Sequence, residues 1–299
     1  MLQLILAMII WGSLGLFVLK SGLSSIDIAF FRCLIGVVVL IPYCAYRSYF
    51  HKDLFQIKKL LPIFLGGIFV VMNWILLFES FHYASITLGN VSYYLQPVFL
   101  LFLGRIFFKE SITAIKYFFV GLSLVGVLMT INITPEMFQF KQLELLGIFY
   151  ALAAGFLYSL ATVIAKKSAA IPAPLMTCLQ LGIGVVILLP MSHVSTMTIT
   201  GATLGYILLL GLVHTVLAFV LYYHSVSRLP TDQIAVLSYI DPIAAIFTDV
   251  LFFDRILVPV QIIGIILTML SSYFVVNAKG VTRWLSHISP FKNKLKVSL

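Results

Sequence analysis

Polar, proline and glycine punctuation divides nearly the whole chain into ten apolar runs, at 2–19, 27–46, 60–83, 87–107, 114–132, 145–165, 173–192, 203–225, 232–252 and 258–277. A bilayer core about 30 Å thick takes roughly 20 apolar residues in a spanning helix. Within lipid a backbone satisfies its own N–H and C=O groups only as a helix or a closed barrel, and runs of this length fit the helix. Charged residues make up 10% of the 299 residues and hydrophobic ones 62%, against about 25% charged in a soluble domain. Such a chain cannot clothe itself in polar surface, so lipid is its solvent. The expected fold is all-α and integral to the membrane, with ten transmembrane helices and almost no soluble part. The run at 2–19 has no basic segment before it and no small-residue cleavage site after it, so it is expected to be a retained helix rather than a signal peptide.

The net charge of +9 does not point to nucleic acid, because the basic residues stand singly between apolar runs instead of along one face. Their placement reports topology. With the N-terminus in the cytoplasm, the inside holds Arg47, Lys52, Lys58, Lys59, Arg105, Lys109, Lys116, Lys166, Lys167, Arg228 and five Lys or Arg between Lys279 and Lys296. The outside holds Lys20, Lys141 and Arg255, and Arg32 lies within a run. Lys/Arg bias sets orientation, so both termini are expected in the cytoplasm, with residues 279–299 forming a basic cytoplasmic tail close to anionic lipid. Cys33, Cys44 and Cys178 all fall in apolar runs, where a free thiol behaves as a small hydrophobe.

The second half repeats the first. Ile35 to Pro42 matches Ile183 to Pro190 at six of eight positions, and Tyr94-Leu95-Gln96-Pro97 matches Tyr239-Ile240-Asp241-Pro242, with Phe107-Phe108 and Phe252-Phe253 following at the same spacing. The expected organisation is a five-helix repeat at 1–134 and another at 144–278. Five is odd, so the second copy enters the membrane from the opposite side. Inverted repeats are a recurrent transporter plan, with substrate held near the midplane between them.

These features carry a resemblance. Two inverted repeats, Trp11-Gly12 in the first run, Tyr-x-x-Pro in runs four and nine, and Glu110 after run four resemble the EamA-type drug/metabolite transporter superfamily across residues 1–280. Trp74 to Ser80, with Tyr93-Tyr94-Leu95-Gln96-Pro97, is further similar to a bacterial branch with choline-permease-like members. The resemblance implies a bacterial inner-membrane transporter without a cofactor or metal. Its expected partners are a small-molecule substrate, the lipid bilayer, a coupling proton or sodium ion and, as one arrangement, a second copy in a homodimer. The second repeat departs from the pattern, with Asp254-Arg255 where a Glu matching Glu110 is usual.

A charge at a helix centre costs about 2.5–3.5 kcal/mol on insertion scales, so polar residues inside the runs are candidate site residues. Glu79, about one turn from the outer end of run three, reads as a counter-charge for a cation, as a proton-coupling carboxylate, or as a group reaching the headgroups. Asn73 and Trp74 lie deeper in that run, and Asn73 alone is equally suited to an interhelical bond. Pro97 and Pro242 each remove a backbone N–H and free carbonyls at Tyr93 and Ser238. Gln96 and Asp241 precede these prolines at matching depth, as two walls of one site. Trp11 aligns with Tyr158, and with Tyr94 and Tyr239 they form an aromatic set that attracts a quaternary or protonated amine through cation–π contacts. His214 and His224, ten residues apart, lack the spacing of a helical metal pair. Arg32 has Asp27 as its nearest carboxylate in sequence, at a separation where helix neighbours do not meet. Arg105, Lys109 and Glu110 read as interface charges or a helix cap.

No GxxxxGK[ST] sequence is present, which argues against ATP-driven pumping, and no H-E-x-x-H or G-x-S-x-G supports an intramembrane enzyme. A channel would favour pore-lining rings or repeated filter loops, which two unequal copies do not supply. The reading is a secondary transporter of a small organic metabolite working by alternating access, with a lean to a cationic or zwitterionic amine. An amino-acid or metabolite exporter of the same superfamily is the alternative. A fluorescent protein fused after Leu299 is expected to fluoresce in a bacterial host while alkaline phosphatase fused there stays inactive; the reverse pattern refutes the cytoplasmic C-terminus.

Overall fold

The structure, a computed structural model, describes residues 1–51, 56–110, 112–132, 142–194, 200–253 and 256–277. Lys52, Lys141, Asp254, Arg255 and the tail at 279–299 lie outside the described residues. Among the described residues there are ten apolar helical rods and no strand: α1 (Leu2–Ser21), α2 (Ser25–Tyr46), α3 (Ile57–Tyr83), α4 (Ile86–Phe108), α5 (Ala114–Thr130), α6 (Gln142–Lys167), α7 (Ala173–Met191), α8 (Gly201–Val226), α9 (Thr231–Phe253) and α10 (Pro259–Val276). All but α5 have the length and hydropathy of a full membrane span. This is an all-α multi-pass membrane protein of about ten helices, as the apolar runs require.

Local chemistry sets the ends of the rods. The hydroxyls of Ser24, Ser85 and Thr200 accept from the N–H groups of Asp27, Leu88 and Thr203, satisfying donors that a helix start leaves open. Gly22 ends α1 with φ at +68°, where a residue without Cβ meets no steric cost.

Four rods are interrupted. α1 breaks at Ser13, α4 at Tyr94–Leu95 and α9 at Tyr239, while α8 widens into a π-turn over Leu212–Leu217. The sequence places kinks at Pro97 and Pro242 correctly in α4 and α9, and each proline sits in the first turn of the segment after the break. There its missing N–H is one that the helix start leaves unbonded in any case. Hydroxyls of neighbouring helices reach carbonyls beside these breaks: Ser159 donates to the Gln96 carbonyl at 2.9 Å and Ser272 to that of Val236 at 3.3 Å.

The strongest helix pairings recur when the halves are exchanged. α3 packs on α6 as α8 packs on α1; α4 on α6 as α9 on α1; and α3 on α7 as α8 on α2. Pairs α2–α7, α4–α9 and α5–α10 map onto themselves, as pairs lying on a pseudo-two-fold axis do. The two halves are thus interleaved rather than side by side.

At the α5–α10 pair, Gly126 and Gly264 let two backbones touch. A Cβ on Gly126 would lie 2.4 Å from Thr268 Oγ1 and 2.8 Å from the Gly264 carbonyl, and one on Gly264 would lie 2.5 Å from the Gly126 carbonyl. The neighbouring hydroxyls fold back, Thr130 onto Gly126 and Thr268 onto Gly264. Gly126→Ala is expected to destabilise the protein by about 1–3 kcal/mol, the usual cost of forcing an extra methyl into a packed contact. Gly121→Ala, on the same helix with open space around it, should change little. Melting temperatures of the two variants in detergent check this, and equal values refute the close-contact account.

Candidate functional site

The interruptions in α1, α4, α8 and α9 bring side chains together at mid-depth. Trp11, beside the α1 break, lies 5.1 Å from Phe219, 5.1 Å from Tyr222 and 6.4 Å from Tyr158 between ring centroids. Tyr158 stacks on Tyr222 at 5.8 Å and neighbours Tyr93 at 6.5 Å, and Trp74 meets Phe219 at 6.0 Å. Trp11, Trp74 and Tyr158 therefore join one aromatic group drawn from α1, α3, α4, α6 and α8. The repeat alignment of Trp11 with Tyr158 appears here as a contact between the two rings.

The π-turn of α8 organises the polar side of this group. The His214 carbonyl accepts from Trp11 Nε1 at 3.0 Å and from an Arg32 terminal nitrogen at 3.5 Å. Arg32 Nε donates to Thr215 Oγ1 at 2.8 Å, and the guanidinium lies 4.6 Å from the Trp74 ring centroid. The imidazole of His214 is buried and holds Ser13 at the α1 break, Nε2 to Oγ at 3.0 Å. It is a structural histidine, and among the described residues no cluster of His, Cys, Asp or Glu has the makings of a metal site. Arg32 does not pair with Asp27. That carboxylate is taken by Ser24 Oγ at 2.5 Å and the His193 N–H at 2.8 Å, tying α2 to the residues after α7.

Asp241 stands in the first turn of the second α9 segment, next to the Tyr239 break. Its carboxylate has no hydrogen-bond or ion-pair partner among the described residues, and it lies close enough to Tyr93 and Tyr94 to act on both electrostatically. Asp241, Tyr93, Tyr94 and Tyr158 are each half-buried. Gln96 and Tyr239 are buried, and the Gln96 Nε2 and Tyr239 hydroxyl have no hydrogen-bond partner among the described residues.

Two sequence candidates sit differently. Asn73 donates to the Ala154 carbonyl at 2.8 Å and to the Tyr93 hydroxyl at 3.3 Å, so it bonds α3 to α6 and orients a tyrosine of the group. Glu79 is partly exposed near the end of α3 and belongs to none of these contacts. Sequence reasoning left Arg32, Tyr222, Phe219 and Gln180 unassigned. The offset that aligns Ile35 with Ile183 also aligns Arg32 with Gln180, and that signal was available. Gln180 accepts from the Tyr223 hydroxyl and crowds Gly66 of α3, mirroring the way Arg32 meets α8.

At the end that the charge bias assigns to the cytoplasm, ion pairs and hydrogen bonds join several helix ends. Lys166 Nζ at the end of α6 donates to Glu110 Oε1 at 2.8 Å, the Leu229 carbonyl at 2.8 Å and Thr231 Oγ1 at 3.1 Å. Glu110 also accepts from the Thr231 N–H at 3.0 Å, placing a carboxylate at the positive end of α9, and Lys116 of α5 pairs with the buried Asp232. Glu110 is thus a helix cap, contributed by the residues after α4.

A model of the EamA-like transporter family matches residues 1–132 and 145–277. The chain belongs to the EamA-like transporter family. The uncharacterized transporter YxxF of Bacillus subtilis (strain 168) is 29% identical over 253 residues, covering 84% of this chain and 81% of that protein. An uncharacterized transporter of Archaeoglobus fulgidus is 22% identical over 262 residues, 87% of this chain and 90% of that protein. Solute carrier family 35 member G1 of Mus musculus is 28% identical over 129 residues, 43% of this chain and 34% of that protein. One crystal structure superposes with a TM-score of 0.82 at 18% identity, covering 95% of this chain and 97% of that one, which establishes the shared fold. This EamA-like protein is a multi-pass membrane transporter, and the Bacillus relatives fit a bacterial inner membrane.

Tyr158, Thr162 and Lys166 follow one another at four-residue spacing on α6, from the aromatic group to the cytoplasmic tie. Thr162 is buried against the Tyr222 hydroxyl at 2.8 Å. In a background with Cys33, Cys44 and Cys178 replaced, Lys166→Met is expected to speed reaction of a cysteine placed at Thr162 with a thiol reagent added from the cytoplasmic side, several-fold. An unchanged rate contradicts a closing role for the tie.

Proposed function

We propose that this transporter carries a small cationic or zwitterionic amine by alternating access, with Asp241 as the counter-charge and Trp11, Tyr158 and the tyrosines at the helix breaks as the surrounding wall. The single observation that carries this reading is the Asp241 carboxylate without a hydrogen-bond or ion-pair partner among the described residues, near Tyr93 and Tyr94 at the helix breaks. A charge taken out of water is costly unless it is paired, and an ammonium group supplies both the pairing and cation–π contact. The exchange symmetry of the helix pairings supports the transport mode. A bundle in which α3–α6 and α8–α1 have equivalent packing can exchange the two arrangements and so open the same centre to either side. A proton or sodium ion is the proposed driving partner, with Asp241 as the group that would bind it between transport steps, while Glu79 lies outside the group and serves the approach from the outer face.

Flux into proteoliposomes tests this, comparing choline and other amines with neutral amino acids, with and without an imposed proton gradient. Selective amine uptake is expected, falling at least about tenfold in Asp241→Asn, the loss that follows from removing a charge interaction worth about 1.4 kcal/mol or more. Amino-acid flux without amine flux would assign the protein to the metabolite exporters instead, and amine flux unchanged in Asp241→Asn would remove the counter-charge role.

A further inference from the structure

Arg32 is a cation buried in the membrane bundle with only neutral partners. It is 5% exposed, and no carboxylate contacts it among the described residues. Burial of a guanidinium without an anion leaves a large desolvation cost uncompensated. Its Nε and one terminal nitrogen are directed at Thr215 and the His214 carbonyl, and its face lies on Trp74. A guanidinium has five N–H donors, so most of its donor capacity remains, including that of the terminal nitrogens, which pair with a carboxylate in a bidentate fork.

Its position ties it to the proposed site. Arg32 and Trp11 Nε1 both lie within 3.5 Å of one oxygen, the His214 carbonyl, so the cation is a neighbour of the indole at the heart of the aromatic group. Next to Trp11 in the chain, Gly12 packs on the backbone of α9: a Cβ there would sit 2.7 Å from the Asp241 main-chain carbonyl. Consecutive residues of α1 thus meet the carbonyl that Arg32 reaches and the backbone of Asp241.

Exchange of the halves sharpens the point. Arg32 corresponds to Gln180, and Asp241 corresponds to Gln96. Each repeat supplies one amide and one charge, and the charges are of opposite sign at non-equivalent positions. A fold-packing role alone needs no such asymmetry, since Gln180 fulfils the equivalent position with a neutral amide bonded to Tyr223.

We infer that Arg32 is the specificity-determining residue that receives a carboxylate or other anionic group of the solute, making the site bipolar and its preferred ligand a zwitterion. The inference rests on the amine reading for the cationic end of the solute and is separable from it at the anionic end. With one end held at Arg32 and the other at Asp241, the aromatic rings of Trp11, Tyr158 and Tyr222 cover the apolar middle.

The test uses the full-length transporter in proteoliposomes with three probes: choline, the trimethylammonium carboxylate glycine betaine, and propionate. In the wild type, betaine is expected to be taken up at least about tenfold better than choline at equal low concentration, and propionate is expected to compete with betaine. Arg32→Gln, which copies the residue at the equivalent position of the second repeat, is expected to lower the ratio of betaine to choline uptake from about ten to about one, whatever its effect on total uptake. Arg32→Lys, which keeps the charge without the fork, should retain an intermediate preference. Choline and betaine handled equally by the wild type, with no competition by propionate, overturns the inference while leaving the amine reading in place, and this arm needs no variant to fold. Arg32-dependent propionate uptake with no amine uptake would uphold Arg32 as the anion-binding residue and reject the amine reading.

Discussion

The constraint on which the rest of the structure depends is that a backbone in lipid must bond its own polar groups. Four helices break or widen within this bundle, and the groups released there have to be met by protein. Ser159 and Ser272 reach carbonyls at the α4 and α9 breaks, while Trp11 and Arg32 reach the His214 carbonyl at the α8 π-turn. Breaks can persist at this depth only where they face other helices or an internal space. The proposed site follows from this, since its side chains are those nearest the breaks.

The interleaving of the halves gives that space its symmetry. The principal helix pairs are either mapped onto another pair or lie across the pseudo-axis. Glycine contacts such as Gly126 against Gly264 hold the α5–α10 pair at backbone distance. The ion pairs of Lys166 with Glu110 and of Lys116 with Asp232 join helices at the end of the bundle that the charge bias assigns to the cytoplasm. They are partly exposed on the lysine side, so each is a modest contribution to stability.

Much of this was legible in the sequence because lipid imposes simple rules. Run length located all ten helices to within a few residues, and the paired Tyr-x-x-Pro motifs located two of the breaks. Trp11 with Tyr158 and Gln96 with Asp241 were matched through the repeat alone. The break at Ser13 and the π-turn at Leu212–Leu217 were not legible, since no proline marks either. Arg32 was missed for a related reason. Its partners are the π-turn carbonyl and hydroxyl of a helix more than 180 residues away, whereas its nearest carboxylate in sequence, Asp27, caps its own helix. Asn73 shows the opposite limit: a buried amide in a span is conspicuous in sequence, yet its bond to the Ala154 carbonyl serves assembly as well as the site.

The central claim is that the space around Trp11 and Trp74 is where the solute binds. The chain has three tryptophans, and the third is Trp284 in the basic tail. Intrinsic fluorescence of the purified Trp284→Phe protein, titrated with a solute it transports, reads that space directly. A saturable change in emission, with a midpoint matching the concentration dependence of transport and lost when Asp241 is replaced by Asn, is the result the account predicts; a transported solute that leaves the emission of Trp11 and Trp74 unchanged would contradict it.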